Sequence, residues 1–223
     1  LEACFPRSFV DVNRSPYDLD QQLIARLDGG GMNPRTAAGL GVIPRIVGDG
    51  VNIYNKKLTL EEVNGRLETY YFPYHEKLTE LINQAVENFG VAFLFDIHSM
   101  PHNCLESLTD KSSCIPQIVL GDCFGSSCTS MFSQEVFNAF EDEGFNVKRN
   151  SPFSGGFITK NYGGSNHNVQ AIQIEIDRSL YMDEKDFSLH NGYDELEKKL
   201  EKGGIVKKER KQQHKHVKHY LDH

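Results

Sequence analysis

A chain of 223 residues with 39% hydrophobic content can close one sizeable core; no apolar run approaches the ~20 residues a bilayer needs and Leu1 to Val10 lacks the zones of a signal peptide, so a cytoplasmic chain without membrane contact is expected. The net charge of −7 combines about +6 over residues 198–223 with −13 over the rest, and so acidic a body argues against a nucleic-acid channel. The five cysteines are odd in number and form no CxxC pair, which supports neither a cysteine zinc site nor a disulfide framework and favours reduced, mostly structural thiols.

In chain order, Phe9 to Asn13 alternates apolar and polar residues and reads as a half-buried strand that delivers Asn13 and Arg14 to an edge. A short helix over about Asp18 to Leu27 follows, stopped by Gly29, Gly30 and Gly31, and then a Gly-rich connection through Ala38 to Arg45. Thr59 with Glu62 fits a capping box, and Pro73 is expected to break that helix before a second one from Tyr74 to Asn88. Val91 to His98 is apolar almost to its end, as for a central strand covered on both faces.

Met100 to Pro116 reads as an irregular loop, Gln117 to Leu120 as a second buried strand, Ser130 to Glu143 as a helix and Phe145 to Lys148 as a third strand. Val169 to Ile176 alternates as the last strand, and a final helix runs from about Asp183 to Lys202. This alternation of strands and helices favours a layered α/β fold with a largely parallel sheet, one domain over residues 1–202 and a basic tail over 203–223. The tail reads as a solvated face, and its histidines, His214, His216, His219 and His223, form no recognised ligand pattern.

Sites in open α/β sheets form outside the carboxyl ends of strands. Three polar clusters fall there: Asn13 with Arg14, Asp96 with His98 and Ser99, and Glu175. A buried strand ending in Asp-x-His suggests an imidazole metal ligand oriented by a carboxylate, or equally a histidine that caps a strand. Glu175 is either a group aimed at a site or part of a solvent-facing polar stripe.

The ordered blocks FPRSFVDVNRSP (Phe5 to Pro16), AGLGVIPR (Ala38 to Arg45), PYH (Pro73 to His75), DIHSMP (Asp96 to Pro101), VLGDCFG (Val119 to Gly125), RNSPFSGG (Arg149 to Gly156) and IEIDRSLYMDE (Ile174 to Glu184) resemble N-formylglutamate amidohydrolases over roughly residues 4–185. That family is similar to the zinc carboxypeptidases, so the resemblance implies a three-layer α/β fold: a mixed, largely parallel sheet with helices on both faces, of the phosphorylase/hydrolase-like kind. It implies hydrolysis of N-formyl-L-glutamate to formate and L-glutamate, a step of histidine degradation.

By the same resemblance, His98 would be one ligand of a single zinc ion and Glu175 the general base, while Asn13 and Arg14 would hold a carboxylate of a small N-formyl dicarboxylate substrate. Arg45 and Arg149 are candidates for its second carboxylate, or salt bridges that brace loops. His75 reads as a packing or capping residue, and Pro101 removes His102 from helical spacing with His98. The family's remaining zinc ligands lie in blocks that precede Leu1, so an N-terminally incomplete sequence is expected. A related N-acyl amino acid amidohydrolase or carboxypeptidase stays open, as does a metal-free binding domain or inactive fragment. No feature fixes an oligomeric state.

Overall fold

The computed structural model describes residues 1–27, 33–47, 50–108, 115–164 and 168–204, without the side chains of 106–108. The glycines at 29 to 31, Cys114 and the tail from 205 with its four histidines lie outside the described residues. The chain divides into two compact units, Leu1–Gly90 and Val91–His223. Among the described residues no helix is long and apolar enough to cross a membrane, and Cys4, Cys104, Cys123 and Cys128 are free thiols.

In the first unit the expected strand at Phe9 to Asn13 is a series of turns. The cause is Asp11: its Oδ1 accepts the backbone N–H of Asn13 at 2.9 Å, a local turn that competes with a ladder. Val10, Asp11, Val12 and Asn13 are all buried, so the alternation does not separate a wet face from a dry one. The expected helix at Asp18 to Leu27 is also absent. Asp20 Oδ1 takes the backbone N–H of Gln22 at 2.7 Å, and Ile24 bridges Leu58 as an isolated parallel pair instead.

Helix α1 is one turn, Pro34–Ala37, capped by the Asn33 side chain on the Thr36 N–H. The capping box forms as expected: Thr59 accepts from the Glu62 N–H and Glu62 from the Thr59 N–H, starting α2 at Leu60–Arg66. Pro73 does not break the helix. A π turn over Leu67–Tyr71 leads directly into α3, Phe72–Phe89, with the proline in its first turn. The wider turn accommodates the missing proline N–H and the bulk of its ring, which an uninterrupted α-helix would not. Gly90, at φ 76°, ends α3 in the left-handed conformation.

The second unit is a four-stranded sheet in the order β1-β4-β2-β3. Its strands are β1 (Ala92–Met100), β2 (Ile118–Gly121), β3 (Val147–Arg149) and β4 (Val169–Asp177). The β1–β4 and β2–β3 pairs are parallel and β2–β4 is antiparallel, so the sheet is mixed and mostly parallel. The strand buried on both faces is β4, not β1: Val91 to His98 forms the end strand of this order, with Phe93 53% and Ile97 49% exposed.

Ile118, Leu120, Ile172, Ile174 and Ile176 turn to one face and pack against Val136 and Phe140 of α5 (Ser130–Asp142) and Leu196 of α7 (Gly192–Lys202). On the opposite face Met100, Leu105 and Val119 form a smaller cluster under α4 (His102–Leu108), and α6 (Phe157–Tyr162) ends against Ala171 at Gly163. Helices therefore lie on both faces. The stretch expected as an irregular loop after Met100 contains α4, whose first N–H, on His102, is taken by Glu184 Oε2 at 2.9 Å. The last helix begins at Gly192 rather than Asp183, because Asp183 and Asp186 each accept a backbone N–H two residues on.

Gly121 pairs with Gln173 across the antiparallel ladder. A Cβ there would stand 2.5 Å from Gly155 N and 2.7 Å from Ser154 C, both backbone atoms. Gly121→Ala is therefore expected to lower the unfolding free energy by about 1–3 kcal/mol, read as a lower denaturant midpoint; an unchanged midpoint would show that the 154–155 segment is not held against β2.

Candidate functional site

The β1–β4 ladder sets His98 opposite Glu175 and Asp96 opposite Gln173. Residues i and i+2 of a strand point the same way, and partners across a ladder share a face with strands ~4.8 Å apart. Four polar side chains therefore occupy one two-by-two block of the face turned away from the isoleucines. Along β1, His98 Nε2–H donates to Asp96 Oδ1 at 2.9 Å. Along β4, Gln173 Nε2–H donates to Glu175 Oε1 at 2.6 Å.

The block is largely withdrawn from water: Glu175 is 8% and Gln173 5% exposed, so Glu175 does not belong to a solvent-facing stripe. A carboxylate accepts only, so the His98 nitrogen that meets Asp96 carries a proton, and in the neutral ring the lone pair resides on Nδ1. The arrangement presents an oriented imidazole beside a carboxylate fixed by an amide donor, in surroundings where charge interactions are strong. Sequence reasoning missed Gln173. Its signal was the Gln-x-Glu spacing on an alternating strand, which puts both side chains on one face.

Along β4 the next residue on this face is also polar, Asp177, while its partner on β1 is the apolar Met100. His102 Nδ1–H donates to the buried Asp177 Oδ2 at 2.7 Å, so His102 is placed by Asp177, two residues beyond Glu175, and not by helical spacing from His98. Ser99 points to the isoleucine face and accepts from Arg178 Nε at 3.1 Å.

In the first unit, Asn13 is buried and its N–H is held by Asp11. The Arg14 guanidinium donates to the carbonyls of Leu40 (3.0 Å) and Asn13 (3.2 Å) and lies 3.8 Å from Asp11. Burial pulls the Arg14 pKa below its ordinary value while Asp11 opposes that shift. Burial pushes the Asp11 carboxyl up, yet Arg7 at 2.8 Å, Arg14 and the Asn13 N–H bring it net below the usual carboxylate range. Arg45 Nε is paired to the buried Asp20 at 2.8 Å, the geometry of a brace. His75 Nε2–H donates to the Val12 carbonyl at 3.0 Å and its ring lies 4.3 Å from Tyr71, a packing role.

Arg149 belongs to the second unit but to the other face. It pairs with Leu120, which pairs with Ile174, and it lies on α5, bonded to Gln134 Oε1 at 2.9 Å and over the Phe137 ring at 4.4 Å. The structure thus brings His98 and Glu175 together and gives Arg149 to the opposite side of the sheet.

A protein zinc site needs three or four ligands. Among the described residues no group of three His, Cys, Asp or Glu side chains is placed to hold a metal. His98, held by a carboxylate through one nitrogen, has the chemistry of one such ligand, so the described donor set fits the ion in part.

The N-formylglutamate amidohydrolase family model matches residues 1–182. N-formylglutamate deformylase from Pseudomonas putida is 29% identical over 187 residues, which are 82% of this chain and 64% of that protein. The deformylase from Pseudomonas aeruginosa is 29% identical over 188 residues, 83% of this chain and 65% of that protein. The chain thus spans under two thirds of the length of these curated relatives. The crystal structure of N-formylglutamate amidohydrolase from Ralstonia eutropha JMP134 superimposes with a TM-score of 0.82 at 33% identity, covering 88% of this chain and 71% of that one. Gene product Atu2144 from Agrobacterium tumefaciens shares the fold at a TM-score of 0.58 and 17% identity, over 90% of this chain and 67% of that one.

Burial holds the His75 pKa below its ordinary 6.5, with the Val12 carbonyl opposing. Above the unfolded-state value neither state takes up the proton. As pH falls through about 6.5 the unfolded chain binds a proton that the folded chain resists, so stability declines until the folded-state value is passed. Between pH 7.5 and 5.5 the unfolding free energy of His75→Gln should fall less steeply than that of the wild type; parallel slopes would refute the assignment.

Proposed function

Because the chain belongs to the N-formylglutamate amidohydrolase family, we propose that it carries out hydrolysis of N-formyl-L-glutamate to formate and L-glutamate, on a scaffold of zinc-carboxypeptidase-like type. The observation that carries the reading is the pairing of His98 with Glu175 across adjacent parallel strands, each side chain held by its own neighbour on the strand.

In this reading His98 would hold zinc through Nδ1, with the other ligands supplied from outside the described residues. When bound, zinc supplies Lewis-acid polarisation of the formyl carbonyl and acidification of the attacking water. Glu175 takes a proton from the attacking water as the water oxygen bonds to the formyl carbon, and passes it to the departing nitrogen, so the formyl C–N bond breaks; the proton then lost by the formic acid converts the amine to the ammonium and leaves formate. The Gln173 donor keeps the acceptor oxygens of Glu175 in one orientation. Asp96 keeps the His98 ring in the tautomer whose Nδ1 bears the lone pair.

In the first unit, Arg14 takes a substrate carboxylate by charge-assisted hydrogen bonds, its guanidinium plane set by the Leu40 and Asn13 carbonyls. Asn13 supports it from the adjacent position. Arg45 is already engaged by Asp20, which favours a bracing role.

The test is formate release by the protein as naturally encoded in full, with zinc present. Glu175→Gln should lower kcat by about 10²- to 10⁴-fold; no formate from the wild type, or full activity in the variant, would sink the reading. Asp96→Asn turns the partner of His98 into a group that is no longer acceptor-only. A loss of about 10- to 100-fold in zinc affinity or activity is expected, measured as metal content after dialysis against graded chelator. Retention equal to that of the wild type would show that Asp96 does not orient the ring.

A further inference from the structure

The Gln173 amide uses only half of its hydrogen-bonding capacity on Glu175. Its Nε2–H bonds Glu175 Oε1 at 2.6 Å, while its Oε1 is buried and has no hydrogen-bond partner among the described residues. A buried carbonyl oxygen without a donor is costly and rare, and calls for an explanation at each occurrence. Rotating the amide by half a turn does not relieve it. That would set the carbonyl oxygen against the Glu175 carboxylate and leave the NH2 as the orphan.

The two ladder neighbours do not supply the missing donor. Gln173 has Asp96 as its ladder partner on one side and Gly121 on the other. Asp96 accepts from His98, and Gly121 has no side chain to offer. The two heteroatoms of an amide are one carbon apart, so an N–H that approaches Glu175 is also within reach of Gln173 Oε1. Resting on the reading above, in which Glu175 protonates the departing nitrogen, we propose that Gln173 is a catalytic residue whose Oε1 accepts an N–H of that nitrogen, first as the scissile amide and then as the released ammonium. One side chain then holds both the base and the atom to which the base delivers its proton.

The test compares two inhibitors of formate release by the zinc-loaded protein as naturally encoded in full: L-glutamate, which carries the ammonium, and glutarate, which lacks it. Gln173→Met removes both halves of the amide; it should lower kcat and cut the preference for glutamate over glutarate by about 10-fold or more, in line with a lost hydrogen bond to a charged group. Gln173→Glu keeps an acceptor but sets a second carboxylate against Glu175 in place of the amide donor, so the preference should persist while kcat falls at least about 10-fold. An undiminished preference in Gln173→Met, or a wild-type kcat in Gln173→Glu, overturns the inference. Thermal unfolding of both variants confirms that the fold is intact, and the glutamate variant decides the matter if the methionine variant does not fold. A wild type that releases no formate would instead remove the reading on which this rests.

Discussion

The parallel pairing of β1 with β4 is the constraint on which the rest depends, because it makes His98 and Glu175 neighbours. Side chains alternate with a period of two, so a slip of one residue in β4 would turn Glu175 into the isoleucine core and bring Ile174 beside His98. That slip is prevented from the other face. Ile172, Ile174 and Ile176 are buried against α5 and α7, and moving them to the polar face would forfeit that burial. The apolar core thereby fixes the geometry of the polar block without touching it.

The antiparallel partner adds a second constraint. β2 places Val119 beside Glu175 and Gly121 beside Gln173, and the backbone at Ser154 and Gly155 packs directly over Gly121. A larger residue at 121 would push that segment away from β2. The close approach of the 154–155 backbone to the strand beside Gln173 follows from a missing side chain on β2.

Much of this was legible in the sequence and some was not, for physical reasons. The strict alternation of Val169 to Ile176 gave both the strand and its two faces, and the Thr59–Glu62 capping box gave a helix start, because each is a local pattern with a single geometric solution. Val91 to His98 has the pattern of a central strand, but a continuous apolar run does not reveal whether both edges are paired or both faces covered; Phe93 and Ile97 are half exposed. Asp11 and Asp20 defeated a strand and a helix by binding backbone N–H groups two residues on, a competition that hydrophobic periodicity does not register. Pro73 ends an α-helix but not one that widens to a π turn. Of the site, the residue types His98 and Glu175 were legible, whereas the register that pairs them and the face that takes Arg149 are properties of strand pairing and absent from any single segment.

The two supporting residues, Asp96 and Gln173, occupy equivalent places, each two residues before the group it supports, yet they cannot be exchanged. An imidazole that is to offer a lone pair from one nitrogen must donate from the other, so its neighbour has to be acceptor-only, which an ionised Asp is and a Gln is not. A carboxylate that is to stay ionised while buried needs a donor beside it, which Gln supplies and Asp does not. Exchange would set an amide NH2 or a carbonyl against His98, leaving its tautomer unspecified, and a second carboxylate against Glu175, raising the cost of ionising both. The spacing of two residues is dictated by the pleat; the identity of each supporting residue is dictated by the protonation state of the group it holds.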